Sequence, residues 1–337
     1  MKIFYWGPYI SKVATVKAII ESAKSLKKYS KKKINLSLIN VFGEWNDFKD
    51  EKINIINLNN KKFQIKKEIV GFIKSRFYFL LIWFVSFFPL LSLLKKEKPS
   101  FLIIHLITSL PLFLLLFFSF ETKFVLRISG YPKLTLMRKI LWKLVSKKIF
   151  KVTCPTLGTY NRLKSENIFY DKLIFIPDPI LNINDFKIKK NEDIEIEKNF
   201  SKKNSILSIG RLTQQKNFGF LIKSFKAMLG KYPNLNLFII GEGEKKNELI
   251  KLINFLDLGD KVFLIGYKNN VYKYLIECKC FILSSLWEDP GFVLVEAGIS
   301  NATVLSSDCD YGPNEILENG KNGFLYKSNS QKDFLEN

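Results

Sequence analysis

The stretch that most constrains this chain runs from Cys280 to Ala297. Cys280–Leu283 is a short apolar run that reads as a buried strand. Pro290-Gly291 then breaks the chain, and Phe292 opens an apolar stretch long enough for a helix. A strand, a loop and a helix in that order put Glu288 at the strand's carboxyl end and Glu296 on the helix beyond. In open parallel sheets, ligands bind in that crevice. The backbone amides of Gly291, Phe292 and Val293 would start the helix and form an anion site. Carboxylates repel phosphate, so Glu288 and Glu296 are suited to accept hydrogen bonds from hydroxyls of a sugar or ribose. Taken alone, each also reads as a solvated charge, one in a loop and one on a helix.

The same grammar recurs through the second half. Residues 205–209 form a strand, and Gly210-Arg211-Leu212-Thr213-Gln214-Gln215-Lys216-Asn217 leads into a helix over 218–229. Arg211 and Lys216 leave that strand's carboxyl end together, beside a helix start, which supplies two cations and several donors for one diphosphate. Residues 237–240 are a strand before Gly241-Glu242-Gly243 and a helix over 244–255. That glycine turn lacks the third glycine and the Lys-Ser/Thr of a phosphate loop and reads as a tight turn. Residues 262–266 make the next strand, followed by Tyr267 and Lys268, and 302–306 the last strong one. Asp308-Cys309-Asp310 imitates a metal-binding Asp-x-Asp, but Tyr311-Gly312-Pro313 makes a turn the better account, and no metal is expected.

In the first half, residues 3–6 form a strand ending at Gly7-Pro8, where Gly7 permits close backbone approach. That apolar run is too short for a signal peptide. Helical spacing of Val13, Val16, Ile19, Ile20 and Ala23 follows, then a strand over 34–40 and a polar, Lys/Asn-rich stretch to about residue 67. Residues 77–94 and 101–120 carry no charge, and each is long enough to span a membrane. Pro99, Pro111 and the isoleucines in 102–104 favour a broken pattern instead: helix to 94, strand 101–105, helix 109–119, strand 123–128. With Arg76 and Lys95-Lys96 at its ends, the first of these helices also suits the lipid headgroup region. Residues 135–146 make a basic amphipathic helix that fits lipid phosphate and plain water equally well. Strands over 149–155 and 173–177 follow, then the turn Ile176-Pro177-Asp178-Pro179 and a charged stretch, 182–203, expected as a linker. The expected domains are therefore 1–181 and 204–337.

With 337 residues, 47% of them hydrophobic, the chain can bury two cores. Its net charge of +22 is uneven: residues 1–150 hold 28 Lys/Arg against 8 Asp/Glu, and the remainder 25 against 23. A basic half points to an anionic membrane or polyanion, while a Lys-rich composition explains the total but not the asymmetry. The single histidine, His105, excludes zinc-hydrolase chemistry and reads as a satisfied residue at a core edge. Cys154, Cys278, Cys280 and Cys309 show no metal spacing and fit buried apolar roles in a reducing compartment.

Glu288 and Glu296, with Ser284-Ser285 before them and Pro290-Gly291-Phe292 between, resemble the Glu-x7-Glu signature of retaining glycosyltransferases of family 4. Gly210-Arg211-Leu212 with Lys216-Asn217 matches a second element of that family. The resemblance covers about the last 135 residues and, more faintly, the N-terminal half, and points toward bacterial cell-envelope polysaccharide enzymes. It implies an α/β GT-B fold, two Rossmann-like domains whose parallel sheets face across a cleft. It also implies a metal-independent hexosyl- or N-acetylhexosaminyl-transferase without cofactor, its donor a nucleotide-diphospho-sugar, UDP-linked by expectation. By that resemblance Arg211 and Lys216 meet the diphosphate, Glu288 and the helix start at Gly291-Phe292-Val293 the sugar, and Glu296 the ribose. Tyr267 and Lys268 would lie at the nucleobase, and Gly7 under the donor phosphates. The family's twin glycine is absent at Gly7, and Ser129 stands where members carry a histidine. The acceptor would be lipid-linked or a cell-envelope glycan, at the inner, cytoplasmic face of an anionic membrane. No nucleic-acid module is recognisable. The family continues past the helix pattern that begins at Gln331. Two other readings stand beside this one: a peripheral membrane or polyanion-binding protein with a vestigial nucleotide pocket, and another GT-B enzyme such as a nucleotide-sugar epimerase.

Overall fold

Each half of the chain folds around one parallel sheet, in units Met1–Ile180 and Leu181–Asn337 of a computed structural model. The structure describes residues 1–10, 14–59, 72–169, 171–288 and 290–337. Val13, the end of the polar stretch beyond residue 59, and Asp289 of the 280–297 run lie outside the described residues.

The first unit alternates strand and helix: β1 (Lys2–Trp6), α1 (Ala14–Tyr29), β2 (Asn35–Asn40), β3 (Asn54–Asn57), α2 (Phe72–Glu97), β4 (Phe101–Ile104) and α3 (Ser109–Phe117). It continues through β5 (Lys123–Arg127), α4 (Leu136–Val145), β6 (Lys151–Cys154), α5 (Leu157–Ser165) and β7 (Leu173–Phe175). The strands pair in parallel in the order β3-β2-β1-β4-β5-β6-β7. Helices cover both faces, so strands such as Phe101-Leu102-Ile103-Ile104 are apolar throughout, and Leu102 and Ile104 are fully buried. The broken pattern expected over residues 77–128 is what forms, as α2, β4, α3 and β5. The polar stretch after β2 holds β3, a strand the periodicity missed. It is a four-residue edge strand, Asn-Ile-Ile-Asn, whose ends are polar because only one neighbour covers it.

α2 is unusual. Ile82, Ser86, Leu90 and Leu94 form its buried stripe, at a spacing of one helical turn. The opposite face shows Phe77, Leu80, Phe84 and Phe88 to solvent. By length and composition it could cross a membrane, and only 22% of its most apolar window is buried. α4 likewise turns Leu136, Met137, Ile140 and Leu144 outward while Trp142 and Val145 hold it to the core.

The second unit contains α6 (Ile183–Lys189), β8 (Ser205–Ile209), α7 (Phe218–Leu229), β9 (Asn236–Ile240), α8 (Lys246–Phe255), β10 (Val262–Leu264) and α9 (Tyr272–Glu277). It ends with β11 (Cys280–Leu283), α10 (Phe292–Ile299), β12 (Val304–Asp308), α11 (Pro313–Ile316), β13 (Phe324–Lys327) and α12 (Gln331–Glu336). Strand order is β10-β9-β8-β11-β12-β13, again parallel. The strand at 302–306 is therefore not the last, since β13 pairs with β12. Residues 182–203, expected as a linker, pack on this unit. Phe186 sets its ring edge against Tyr272 at 5.1 Å, Phe200 is buried, and Asn270 donates to the Lys189 carbonyl at 2.7 Å.

Candidate functional site

Parallel order in the second sheet reverses between β8 and β11: the chain runs outward from β8 through β9 to β10, then returns to the other side of β8. The loops leaving those two neighbours diverge and open a crevice at the sheet's carboxyl edge. One is Gly210–Asn217 in sequence, numbered 210–217, and the other runs over residues 284–291. They are stitched together. The Ser284 hydroxyl donates to the Lys216 carbonyl at 2.8 Å, the Leu286 amide to the Gln215 carbonyl at 2.8 Å, and the Gln215 side chain to the Trp287 carbonyl at 2.9 Å.

Within this frame the Lys216 ammonium forms an ion pair with Glu288 Oε1. Their side chains are 14% and 6% exposed, so water screens the pair poorly. The Ser285 hydroxyl donates to the same oxygen at 2.5 Å. Gly210 makes room for this. A Cβ there would stand 3.0 Å from the Lys216 stem, which lies across the glycine. On the far side, the turn after β12 props up the start of α10. Gly312 has φ +146°, and a Cβ would fall 1.9 Å from the Pro290 carbonyl oxygen, so only glycine fits. The Glu288 amide donates to the Asp310 carbonyl at 3.2 Å. Asp308-Cys309-Asp310 is thus a buttress, and burial pushes the Cys309 thiol up to about 12, leaving it inert. Among the described residues no group of three His, Cys, Asp or Glu gathers to hold a metal.

The other expected site residues are spread more widely. Gly291 takes a left-handed conformation, φ +88°, as the residue before α10, and Phe292 and Val293 begin the helix. Glu296 is half-buried one turn further along α10. Arg211 is exposed on the same loop as Lys216. Tyr267, 70% exposed, and Lys268 follow β10, two strands from β8 at the same edge. Lys268 is engaged: its ammonium is 2.8 Å from Glu197, whose carboxylate holds it above its ordinary value. Gly7 ends β1 in the other unit, and a Cβ there would meet Ile19 Cδ1 of α1 at 2.5 Å, so tight helix packing accounts for it.

Ser285 entered the sequence reading only as context for the two glutamates, and Ser307 and Ser328 had no part in it. Ser307 donates to the Ser285 carbonyl at 2.7 Å, and Ser328 to the same oxygen at 3.4 Å. The available signal was the pair of serines ending two adjacent apolar strands, β11 and β12. His105 departs from expectation as well. It is 4% exposed and stacks on Tyr5 at 5.7 Å, yet neither ring nitrogen has a hydrogen-bond partner among the described residues. Burial, and then the nearby Arg127 charge, lower its pKa to about 3.

Residues 189–337 match the model of the glycosyl transferases group 1 family. An uncharacterized glycosyltransferase of Methanocaldococcus jannaschii is 35% identical over 247 residues, covering 68% of this chain and 61% of that protein. The N-acetylgalactosamine-N,N'-diacetylbacillosaminyl-diphospho-undecaprenol 4-alpha-N-acetylgalactosaminyltransferase of Campylobacter jejuni is 34% identical over 148 residues, 44% of this chain and 38% of that one. The chain thus spans less than two thirds of either relative. Among solved structures, Anabaena HepE in complex with UDP superposes with a TM-score of 0.69 at 13% identity, covering 100% of this chain and 88% of that one. That likeness identifies the fold as GT-B.

Proposed function

We propose, from the premise that residues 189–337 are a glycosyl transferases group 1 domain within a GT-B fold, that the chain is a retaining glycosyltransferase. It moves a hexose or N-acetylhexosamine from a nucleotide-diphospho-sugar, UDP-linked, to a lipid-linked or cell-envelope acceptor. The observation that carries this is the buried Lys216–Glu288 pair at the point where strand order reverses.

In the reaction the bond from the anomeric carbon to the diphosphate oxygen breaks, and the acceptor oxygen takes its place on the same face. The acceptor's hydroxyl proton passes to the departing diphosphate. Negative charge grows on that leaving group, and stabilising it is the largest single contribution available to the site. Lys216, oriented by Glu288, and Arg211 on the same loop would do this, with the amides at the start of α10 assisting. Lys216 and Ser285 both donate to Glu288 Oε1, leaving Oε2 for a donor-sugar hydroxyl. Glu296, one turn into α10, holds the ribose. No metal takes part, since Lys216 and Arg211 supply the positive charge. The C. jejuni relative's name specifies a diphospho-undecaprenol acceptor, and HepE was solved with UDP; both support this choice of substrates. Work at the inner face of the cytoplasmic membrane follows from such an acceptor and from the basic first unit.

Titration calorimetry with UDP, GDP and ADP tests the reading, with UDP expected to bind best. Lys216→Ala is expected to lose most turnover and, by leaving Glu288 buried and unpaired, about 3 kcal/mol of stability. Glu296→Ala is expected to weaken UDP binding and leave stability nearly unchanged. Wild-type transfer by both variants would refute the site assignment. Binding of none of the three nucleotides would favour a peripheral membrane protein, the second reading, which the exposed apolar faces of α2 and α4 support.

A further inference from the structure

Three loops leave the carboxyl edge of the second sheet side by side, after β8, β9 and β10, and each leans on the next. The Leu212 amide donates to the Glu242 carbonyl at 2.9 Å, and the Gly241 amide to the Gly266 carbonyl at 2.8 Å. β10 is the edge strand, so no further strand supports the far side of residues 266–270. Residues 189–197, from the stretch whose composition reads as a linker, cover that side instead. The Lys268 ammonium lies 2.8 Å from Glu197 Oε1 and over the Tyr274 ring, 5.6 Å from its centroid. Asn270, 7% exposed, donates through its side-chain nitrogen to the Lys189 carbonyl at 2.7 Å and to Glu192 Oε2 at 2.8 Å.

The loop is therefore held at alternate residues. Gly266, Lys268 and Asn270 are engaged with the protein, while Tyr267 and Asn269 between them are exposed. Tyr267, at 70%, is an aromatic ring shown to solvent on a backbone fixed from both sides. β10 stands two strands from β8, about 10 Å at ordinary strand spacing. That is the reach of a nucleotide from a diphosphate beside Lys216 to the base beyond its ribose. A braced loop has little ordering left to lose when such a ligand binds, whereas a loose one subtracts that ordering from affinity. Bracing also fixes where the loop's polar groups point, and fixed polar groups reject a ligand that leaves them unpaired. The Lys268 and Glu197 side chains are 31% and 29% exposed, so their pairing adds little stability; what it sets is direction.

From this arrangement we infer that Glu197 and Asn270 are positioning residues for the donor's nucleobase, and that residues 189–197 are a brace that sets base choice through the 266–270 loop. Neither residue needs to touch the base. Glu197 holds Lys268 and Asn270 ties the loop's end, so Tyr267 and the backbone beside it meet the base in one fixed arrangement. The inference rests on the proposed nucleotide-sugar reading and adds to it the residues that make one base preferred. It also gives the charged stretch before β8 a role: Glu192 and Glu197 face Asn270 and Lys268, 78 and 71 positions further along the chain.

The test titrates the full chain with UDP, ADP, GDP and inorganic diphosphate by calorimetry, alongside thermal melts. Wild type should favour UDP over ADP and GDP by at least about ten-fold. Glu197→Ala should weaken UDP about ten-fold, ADP and GDP by less than about three-fold, and diphosphate not at all, so that base preference narrows. Glu197→Gln, which keeps an oxygen for Lys268, should restore most of the preference. Asn270→Asp keeps the oxygen that accepts from the Tyr272 amide but gives up both donations, and should narrow the preference as Glu197→Ala does. A brace that serves stability alone would lower the melting temperature and leave the ratio of UDP to ADP affinity unchanged. That ratio unchanged in both Glu197→Ala and Asn270→Asp, or a wild type that binds all three nucleotides equally, would overturn the inference and leave the transferase reading standing. A wild type that binds no nucleotide would sink both.

Discussion

At the scale of single residues, the polar groups that matter are those removed from water. Lys216 and Glu288 are 72 positions apart, and their pairing is tolerable only because Ser285 and the stitched loops hold both in good geometry. His105 is the opposite case, a buried imidazole whose nitrogens have no hydrogen-bond partner among the described residues. Its pKa, lowered from 6.5 to about 3, means the native protein refuses a proton that the unfolded chain accepts across that interval. Stability should therefore fall as pH drops from about 6.5 toward about 3 and be indifferent to this group above that window, with a slope approaching about 1.4 kcal/mol per pH unit. Urea midpoints for wild type and His105→Leu, measured from pH 7 downward, check this. The variant should show about one proton less dependence in that window; matching curves would show an imidazole that titrates normally.

At the scale of elements, the two faces of α2 make opposite predictions. Leu90 is fully buried, so Leu90→Ala should cost about 2–5 kcal/mol through lost burial and the cavity left behind. Phe88, two residues before Leu90 and so on the other face, is 74% exposed. Phe88→Ser should change stability by less than about 1 kcal/mol, although its residue is larger and more apolar. Thermal melts of both variants decide the matter. A large loss for Phe88→Ser would show that its face is covered in solution. The elements were mostly legible from pattern: residues 205–209 and 218–229 formed the expected strand and helix to the residue. β3 and β13 escaped because each is an edge strand exposed at both ends, which leaves only two covered residues to signal it. Residues 182–203 read as a linker because charge dominates their composition, yet Phe186, Ile194, Ile196 and Phe200 are enough to pin them to the second unit.

At the scale of the molecule, two units with separate cores share one chain, and nearly all of the excess positive charge falls on the first. Each core closes within its own unit, so residues 181–337 expressed alone should unfold cooperatively and retain UDP affinity within about a factor of three. Calorimetry on that fragment checks both points; a fragment without a transition would mean its core is completed by the first unit. What the sequence by itself determined was the alternation of strand and helix, the number of sheets, and which loops leave the carboxyl ends of strands. Those follow from backbone sterics and from burial at periods of two and 3.6 residues, which act between near neighbours in the chain. The tertiary structure alone decided that β8 lies beside β11, that Lys216 therefore reaches Glu288, that the apolar face of α4 looks outward, and that the His105 nitrogens find no hydrogen-bond partner among the described residues. Such choices are made by packing between segments far apart in sequence, where each contact depends on every other surface competing for the same core.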